Sequence, residues 1–436
     1  MAILQQIIFA IIVGITFFIA YKKYREIYEN IKLGKAEDRS GNTGQRLKNM
    51  TMFALGQRKM FRNLVPAIMH LFIYVAFLFT QIELIEIFID GLSGVHRFFY
   101  HVVPLGGLYT LLISFIEILS VGAFIGTTVF LARRNLIKVP RLHMDEMTGW
   151  PKLDGNLILY GELLLLLGIF TMNTADMALH NGEYGFAISG LLMPLFSGFS
   201  DGTLHILERA GWWLHILVVF AFINYLPYSK HLHIMLAFPN TFYGNLDGGA
   251  NKGEMRNMDK ITAEIKLMMD PDAPMPEEEE GEPEKFGAKD VDDLSWKSLL
   301  DAYTCTECGR CSSVCPASQT GKLLSPRKIM MDTRDRLEEK GKNIREKGAD
   351  FDDGKSLLHD YISIEEVRAC TTCNACVEEC PVNINPLNII LELRRYAILE
   401  EANSPEEWNL MFGNVETNGA VWKMSADDRD KWTSEL

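Results

Sequence analysis

The chain has 436 residues, 48% of them from the set AVILMFWYC, 23% charged, with a formal net charge of −13 and eight cysteines. Residues 1–253 carry 20 Lys+Arg against 17 Asp+Glu, whereas residues 254–436 carry 23 against 39, so an apolar half precedes a strongly acidic one. Together these exclude a disordered chain, a small disulfide scaffold and a nucleic-acid binder, since no basic domain is present to neutralise phosphates.

Residues 3–21 are almost wholly apolar and long enough to cross about 30 Å of hydrocarbon as a helix. The charges Lys22, Lys23 and Arg25 follow the apolar run, which makes it read as an anchor and not as a cleaved leader. Similar runs at 63–89, 104–131, 155–176 and 210–230 give five expected spans. Residues 22–62 hold 11 Lys+Arg and 132–152 hold five, while 91–103 and 177–209 hold one each, Arg97 and Arg209. The positive-inside rule then puts the N-terminus outside and everything after residue 230 in the cytoplasm. The segment YGFAISGLLMPLF, interrupted by Pro194, is too short to cross and reads as a half-helix at the outer surface.

Histidines carry the chemistry of this half. His70 stands inside the second span, and a histidine there is costly without a partner or a metal. The fifth run, WWLHILVVFAFINYLPYSKHLH, has His215 near its outer end and His233 at its inner end, about 27 Å apart if one helix continues through Pro227. Two imidazoles at two depths suit haem b, each haem being held by imidazoles from facing helices. His70 and His233 form the expected inner pair, with His231 as an alternative to His233. His215 lacks an obvious mate: Thr80 on the second span is no ligand, which leaves His101, His205 or a five-coordinate haem. Carboxylates also lie in the spans, Glu83, Glu86, Glu117 and Glu162, and Glu117 near mid-span is the candidate for quinol proton handling, with a hydrogen-bonded structural glutamate as the alternative.

Residues 241–290 are expected to be an acidic, proline-rich linker around PDAPMPEEEEGEPEK, with a helical stretch near 258–269. Residues 291–436 contain Cys305, Cys308, Cys311, Cys315 and Pro316, spaced C-x2-C-x2-C-x3-C-P, and the pattern returns at Cys370, Cys373, Cys376, Cys380 and Pro381. This is the spacing of bacterial two-cluster ferredoxins, in which three thiolates of a run hold one [4Fe-4S] cluster and the fourth holds the other. One cluster is therefore expected on Cys305, Cys308, Cys311 and Cys380, the second on Cys370, Cys373, Cys376 and Cys315. Zinc sites use ligand pairs across a longer loop, not three cysteines in seven residues. A largely exposed helix is expected from Ser325, and another over 386–402. No glycine-rich dinucleotide motif, P-loop or nucleophile elbow appears.

Residues 286–436, on FGAKDVDDLSWKSLLDAYTCTECGRCSSVCPA, LSPRKIM, ACTTCNACVEECPV and the tail NVETNGAVWKMSADDRDKW, resemble the ferredoxin-like part of the heterodisulfide reductase family of iron-sulfur oxidoreductases. Residues 1–240, on five spans, His70, His215, His233 and PYSKHLH, are similar to the cytochrome b subunit of those complexes and to the gamma subunit of respiratory nitrate reductase. Two departures stand out: the gamma pattern has two histidines on the second span where this chain has His70 alone, and the CCG modules of disulfide-reducing members are missing.

The expectation is thus an all-α membrane protein, a five-helix transmembrane haem b bundle over 1–240 followed by a mainly α-helical ferredoxin-like domain with two [4Fe-4S] clusters. It would sit in a bacterial or archaeal cytoplasmic (inner) membrane and pass electrons between menaquinone or another quinone and a cytoplasmic partner. The resemblance implies that this partner is a CCG-module protein of the heterodisulfide reductase kind or an electron-transferring flavoprotein. The rival reading is a haem-free anchor carrying a ferredoxin-like module.

Overall fold

The computed structural model describes residues 3–103, 105–246, 259–270 and 285–434. Among these the structure is helical, with no strand and only two isolated bridges, Lys35 with Ser295 and Leu358 with Ile362. Five helices are long and apolar enough to cross a membrane. They are α1 (Ile3–Ile31), α2 (Leu64–Ser93), α3 (Gly107–Asn135) and α4 (Trp150–Leu179), then, after the short helix α5 (Ala187–Leu192), α6 (Asp201–Tyr225). Their outward faces leave Ile7, Ile11, Ile15, Leu111, Ile118 and Leu167 exposed, an apolar belt that water would not tolerate.

The bundle is held by close crossings and by an aromatic knot. A Cβ at Gly211 on α6 would come within 2.6 Å of the Met172 backbone nitrogen on α4, so only glycine lets these two helices approach as they do. Phe9 of α1 is wholly buried against Phe88, Trp212 and Phe220, ring centroids 5.3–5.9 Å apart, tying α1 to α2 and α6.

Helix α6 begins earlier than residue 210, because Ser200 caps it by accepting from Thr203 N at 3.3 Å and the polar residues up to Arg209 are carried on its first turns. It does not continue through Pro227. Proline has no N–H and its ring clashes with the carbonyl four residues back, so α6 stops at Tyr225. Two 3-10 turns, Leu226–Tyr228 and Lys230–Leu232, lead to α7 (His233–Phe242). His215 and His233 therefore stand on different helices, and the single-helix spacing fails.

Beyond the bundle come the expected short helix at Asp259–Met269, then α8 (Trp296–Thr304), α9 (Pro326–Lys347) and α10 (Pro386–Leu399). The acidic stretch at 271–284 lies outside the described residues. Helix α9 starts after Ser325 as expected but is not largely exposed: Arg327, Ile329, Met330, Met331, Thr333, Arg336 and Leu337 are buried. Its charges are neutralised where they enter the core, Arg336 by Asp290 at 2.8 Å and Asp353 at 2.7 Å, Arg327 by Glu146 at 2.7 Å. The largest hydrophobic core does not respect the two halves of the sequence. It joins Ile27 of α1 and Leu232 to Val291, Leu299, Ile329, Leu337, Ile389 and Leu393.

Candidate electron-transfer centres

The two cysteine runs fold alike. Glu307 and Gly309 in the first, and Thr372 and Asn374 in the second, have positive φ, which turns each loop around its thiols before a short helix, Arg310–Ser313 or Ala375–Glu379. Thr372 N donates to Cys370 Sγ at 3.4 Å, and Ile384 N donates to Cys380 Sγ at 3.3 Å. The eight thiols form no disulfide.

Their electrostatic neighbours cross between the two runs, and Cys311 also feels Cys376. Burial pushes the Cys305 thiol up to about 12, with Cys308 and Cys380 adding to the shift, and lifts Cys311 beside Cys305, Cys308 and Cys380. Burial pushes Cys376 up to about 12 beside Cys370, Cys315 and Cys373, and Cys380 up to about 11 beside Cys308. The fourth cysteine of each run thus has neighbours in the other run, Cys380 beside Cys308 and Cys315 beside Cys376. Eight thiols in two such runs fit two [4Fe-4S] clusters, each needing four thiolates.

The membrane side reaches these loops through residues 57–62. Lys59, 3% exposed, donates to Val377 O at 3.4 Å, and burial pushes it down to about 8 against the opposing pull of Cys380. Arg62 pairs with Glu378 at 3.0 Å and Glu379 at 3.2 Å. Arg310, beside Cys311, donates to Lys59 O at 3.2 Å. The same segment supports a histidine: His70 Nδ1 lies 3.1 Å from Gln57 Oε1. Since an amide oxygen only accepts, the proton sits on Nδ1 and Nε2 is left as a donor of electrons.

His233 and His215 are oriented in the same way, Nδ1 on Lys230 O at 3.0 Å and on Leu165 O at 3.1 Å. An imidazole anchored through Nδ1 to a carbonyl is the usual form of an axial metal ligand, so the histidines present fit haem. His231 stacks on His233 with ring centroids 5.5 Å apart, and burial pushes it down to about 3, with His233 and His70 disfavouring its charged form. His70, His231 and His233 are therefore one cluster, at the end of the bundle nearer the cysteines. His215 packs against α4, opposite Gly168, whose missing Cβ makes room for the His215 backbone. Thr80 spends its hydroxyl on Phe77 O at 3.1 Å. His101 packs beside His96, Tyr100 and Tyr184 at the end of the bundle away from the cysteines, and His205 lines a cavity there.

Glu117, 2% exposed, accepts Ile188 N at 2.8 Å and Ser189 N at 3.1 Å and bonds Ser189 Oγ, so it anchors the start of α5. Glu83 accepts from Asn173 at 3.1 Å, Glu86 from Tyr109 at 2.7 Å and from Phe99 N at 2.8 Å, and Glu162 from Thr127 at 2.8 Å.

Sequence reading passes over the residues that join the two halves. Glu307, inside the first cysteine run, is 4% exposed and pairs with Lys230 at 2.5 Å and Arg334 at 2.9 Å. Burial pushes its carboxyl up, but Arg334 and Lys230 outweigh this and hold it below the usual range. Lys230 in turn carries the carbonyl that orients His233. Position within the motif is the only local hint for Glu307, and Gln57 and Lys59 offer none.

A 4Fe-4S dicluster domain family matches residues 301–384. The chain is 28% identical over 440 residues to a probable iron-sulfur-binding oxidoreductase, FadF, of Bacillus subtilis, covering 93% of this chain and 57% of that one. It is 25% identical over 433 residues to an EtfAB:quinone oxidoreductase of Syntrophomonas wolfei, covering 92% and 56%. Over 108 residues it is 36% identical to one component of a CoB-CoM heterodisulfide reductase of Methanosarcina acetivorans, covering 24% and 53%. The chain thus spans little more than half the length of these relatives. No solved structure matches it. The homologues are iron-sulfur oxidoreductases, and with five apolar helices the chain has the features of a membrane protein carrying an iron-sulfur electron-transfer module.

Proposed function

We propose that this chain is a membrane-bound electron-transfer subunit that links a quinone pool, menaquinone among the candidates, to a cytoplasmic partner by way of haem b and two [4Fe-4S] clusters. When bound, these groups supply one-electron acceptors and donors, and the protein sets their potentials by ligand, burial and hydrogen bonding. The proposal assigns residues 1–240 to the cytochrome b-like bundle, 241–290 to the acidic linker and 291–436 to the cluster domain. His70 and His233 are the proposed inner haem ligands, and His215 the ligand of a second haem. Cys305, Cys308, Cys311 and Cys380 would hold one cluster, and Cys370, Cys373, Cys376 and Cys315 the other.

The observation that carries the reading is the segment 57–62. It fixes the His70 imidazole through Gln57 and grips the short helix Ala375–Glu379 through Lys59 and Arg62, which supports a path between a haem at His70 and the cysteine loops. Charge supports the orientation with the N-terminus outside. The basic residues flanking the spans meet the acidic half, Lys23 with Glu338 at 2.9 Å and Lys230 with Glu307 at 2.5 Å, all at the end where positive-inside reasoning puts the cytoplasm. Glu117 is the proposed proton-handling group of a quinol site. A flavoprotein of the electron-transferring kind or a CCG-module protein is the proposed partner, on the strength of the relatives' names.

The test is a haem and iron count on the purified chain, with optical spectra before and after addition of a menaquinol analogue. Haem b reduced by quinol, beside about eight non-haem irons, and loss of that haem in His70→Ala, are the expected results. Eight irons without haem would leave an anchored ferredoxin-like module, the reading favoured by Thr80 standing where a second ligand is needed.

A further inference from the structure

At the outer end of the bundle, on the side away from the cysteines, His96, Asp176 and His180 converge. His96 Nε2 lies 3.0 Å and His180 Nδ1 3.1 Å from the same Asp176 oxygen, Oδ1. The two imidazoles stack with centroids 5.8 Å apart and an interplanar angle of 20°. All three donor atoms lie within 4.8 Å of one another. We propose that these three side chains form a binding site for a divalent transition cation of the zinc class, separate from the redox centres.

Geometry is the first support. Ligand bonds of about 2.0–2.1 Å in a tetrahedron place the donor atoms about 3.3 Å apart, close to the two nitrogen–oxygen spacings of 3.0 and 3.1 Å, and the whole set lies within 4.8 Å. The donor set is the second. Two imidazole nitrogens and one carboxylate oxygen select zinc, copper or nickel over calcium and magnesium, which prefer all-oxygen shells. Three protein ligands also leave a position open to water, and both imidazoles are more than a third exposed at the outer face while Asp176 is 1% exposed.

The supporting shell is the third. Arg97, 4% exposed, donates through Nε to the other oxygen of Asp176 at 2.6 Å. Its remaining nitrogens bond Asn173 Oδ1 at 2.7 Å and Tyr109 OH at 3.0 Å, so the carboxylate is locked with Oδ1 turned to the imidazoles. The guanidinium charge does not exclude a second cation. Glu83, Glu86, Asp90 and Glu208 line the same cavity, of about 320 Å³, with Asp90 accepting both Arg97 N and Phe98 N. Without the ion, His180 Nδ1–H is held by Asp176 O at 2.9 Å; ligation takes the other neutral tautomer, with the proton on the solvent-facing ring at Nε2 and the Nδ1 lone pair turned to the ion.

The experiment uses the full chain in detergent with its iron-sulfur clusters loaded and adventitious metal removed by chelator. Zinc alone is titrated against a chromophoric zinc indicator, and cobalt is added separately as a spectroscopic probe. One tight equivalent is expected, weakened at least tenfold in His96→Asn and in His180→Asn, with cluster absorbance unchanged and His359→Asn, whose ring pairs with Glu401, binding as the parent does. Cobalt should give the intense visible bands of a four-coordinate nitrogen and oxygen site in the parent protein. Equal zinc affinity in the parent and both variants overturns the proposal. So does the lack of four-coordinate cobalt bands, a result that needs no variant to fold.

Discussion

Glu307→Gln removes one charge, keeps the side-chain volume, and tests whether the first cysteine loop is docked on the inner end of the bundle by a buried ion triad. In the native protein the carboxylate is 3% exposed in its side chain and stands between Lys230 at 2.5 Å and Arg334 at 2.9 Å. Removing one partner of a buried pair costs about 3–5 kcal/mol, because the remaining charges are left desolvated. Lys230 keeps Pro151 O at 2.7 Å and Asp154 at 3.7 Å, and Arg334 keeps Asp335 at 3.3 Å, which places the expected loss at the lower bound, about 3 kcal/mol. That is about a 150-fold larger open population of the loop. Amide hydrogen exchange over Cys305–Cys311, measured on the cluster-loaded chain under conditions where opening is fast and reversible, should accelerate by that factor.

The sign with pH follows from the same triad. The Glu307 carboxyl is held below its unfolded value, so its contribution is fully present above about pH 4.3 and is lost as pH falls through the folded value. The parent protein should show acid-accelerated exchange in this loop while Glu307→Gln shows no further acceleration. Substitution of Glu29, whose pairing with Arg25 is exposed, should leave the loop unchanged. Exchange in Glu307→Gln within threefold of the parent would refute the docking argument.

Cys380→Ser should remove the cluster that Cys305→Ser removes, lowering iron from about eight to about four atoms per chain, whereas Cys315→Ser should spare it and remove the other. A Cys380→Ser spectrum matching that of Cys370→Ser would refute the crossed pairing. Gly34→Ala places a Cβ 2.6 Å from Trp296 N, where Lys35 N donates to Leu294 O at 2.8 Å and Trp296 N donates to Lys35 O at 3.1 Å. Overpacking and weakened backbone bonds should together cost about 2–4 kcal/mol, read as a lower temperature for loss of cluster absorbance. Gln57→Leu leaves His70 Nδ1 without its acceptor, and haem affinity should drop about tenfold or more in a haem-retention assay, with cluster content unchanged.

Much of this protein is written locally. Five apolar runs of membrane length become five helices because helices satisfy every backbone group within the segment, so hydropathy alone locates them. The two cysteine runs are legible for a similar reason: ligand spacing, a following proline and turn residues are all short-range properties. Proline at 227 is also visible, yet its consequence is not, since whether a helix ends or kinks there depends on what its freed carbonyls can bond. Hence the sequence alone reads His233 onto the helix of His215, while in the fold it lies on the next one.

Which distant residues meet is settled only in the fold. Helix α9 reads as a solvated helix because it is rich in helix formers of mixed charge, but Asp290, Asp353, Glu146 and Glu307 arrive from four other segments and let it enter the core. The outer His96–Asp176–His180 group joins residues 80 apart, brought together by helix packing, and its sequence shows only three ordinary polar side chains. The sequence determined the elements and the metal-binding loops, where the physics acts over one helical turn or one loop. Buried charge pairs and side-chain clusters depend on loop closure and helix crossing, and these exist only once the chain is folded.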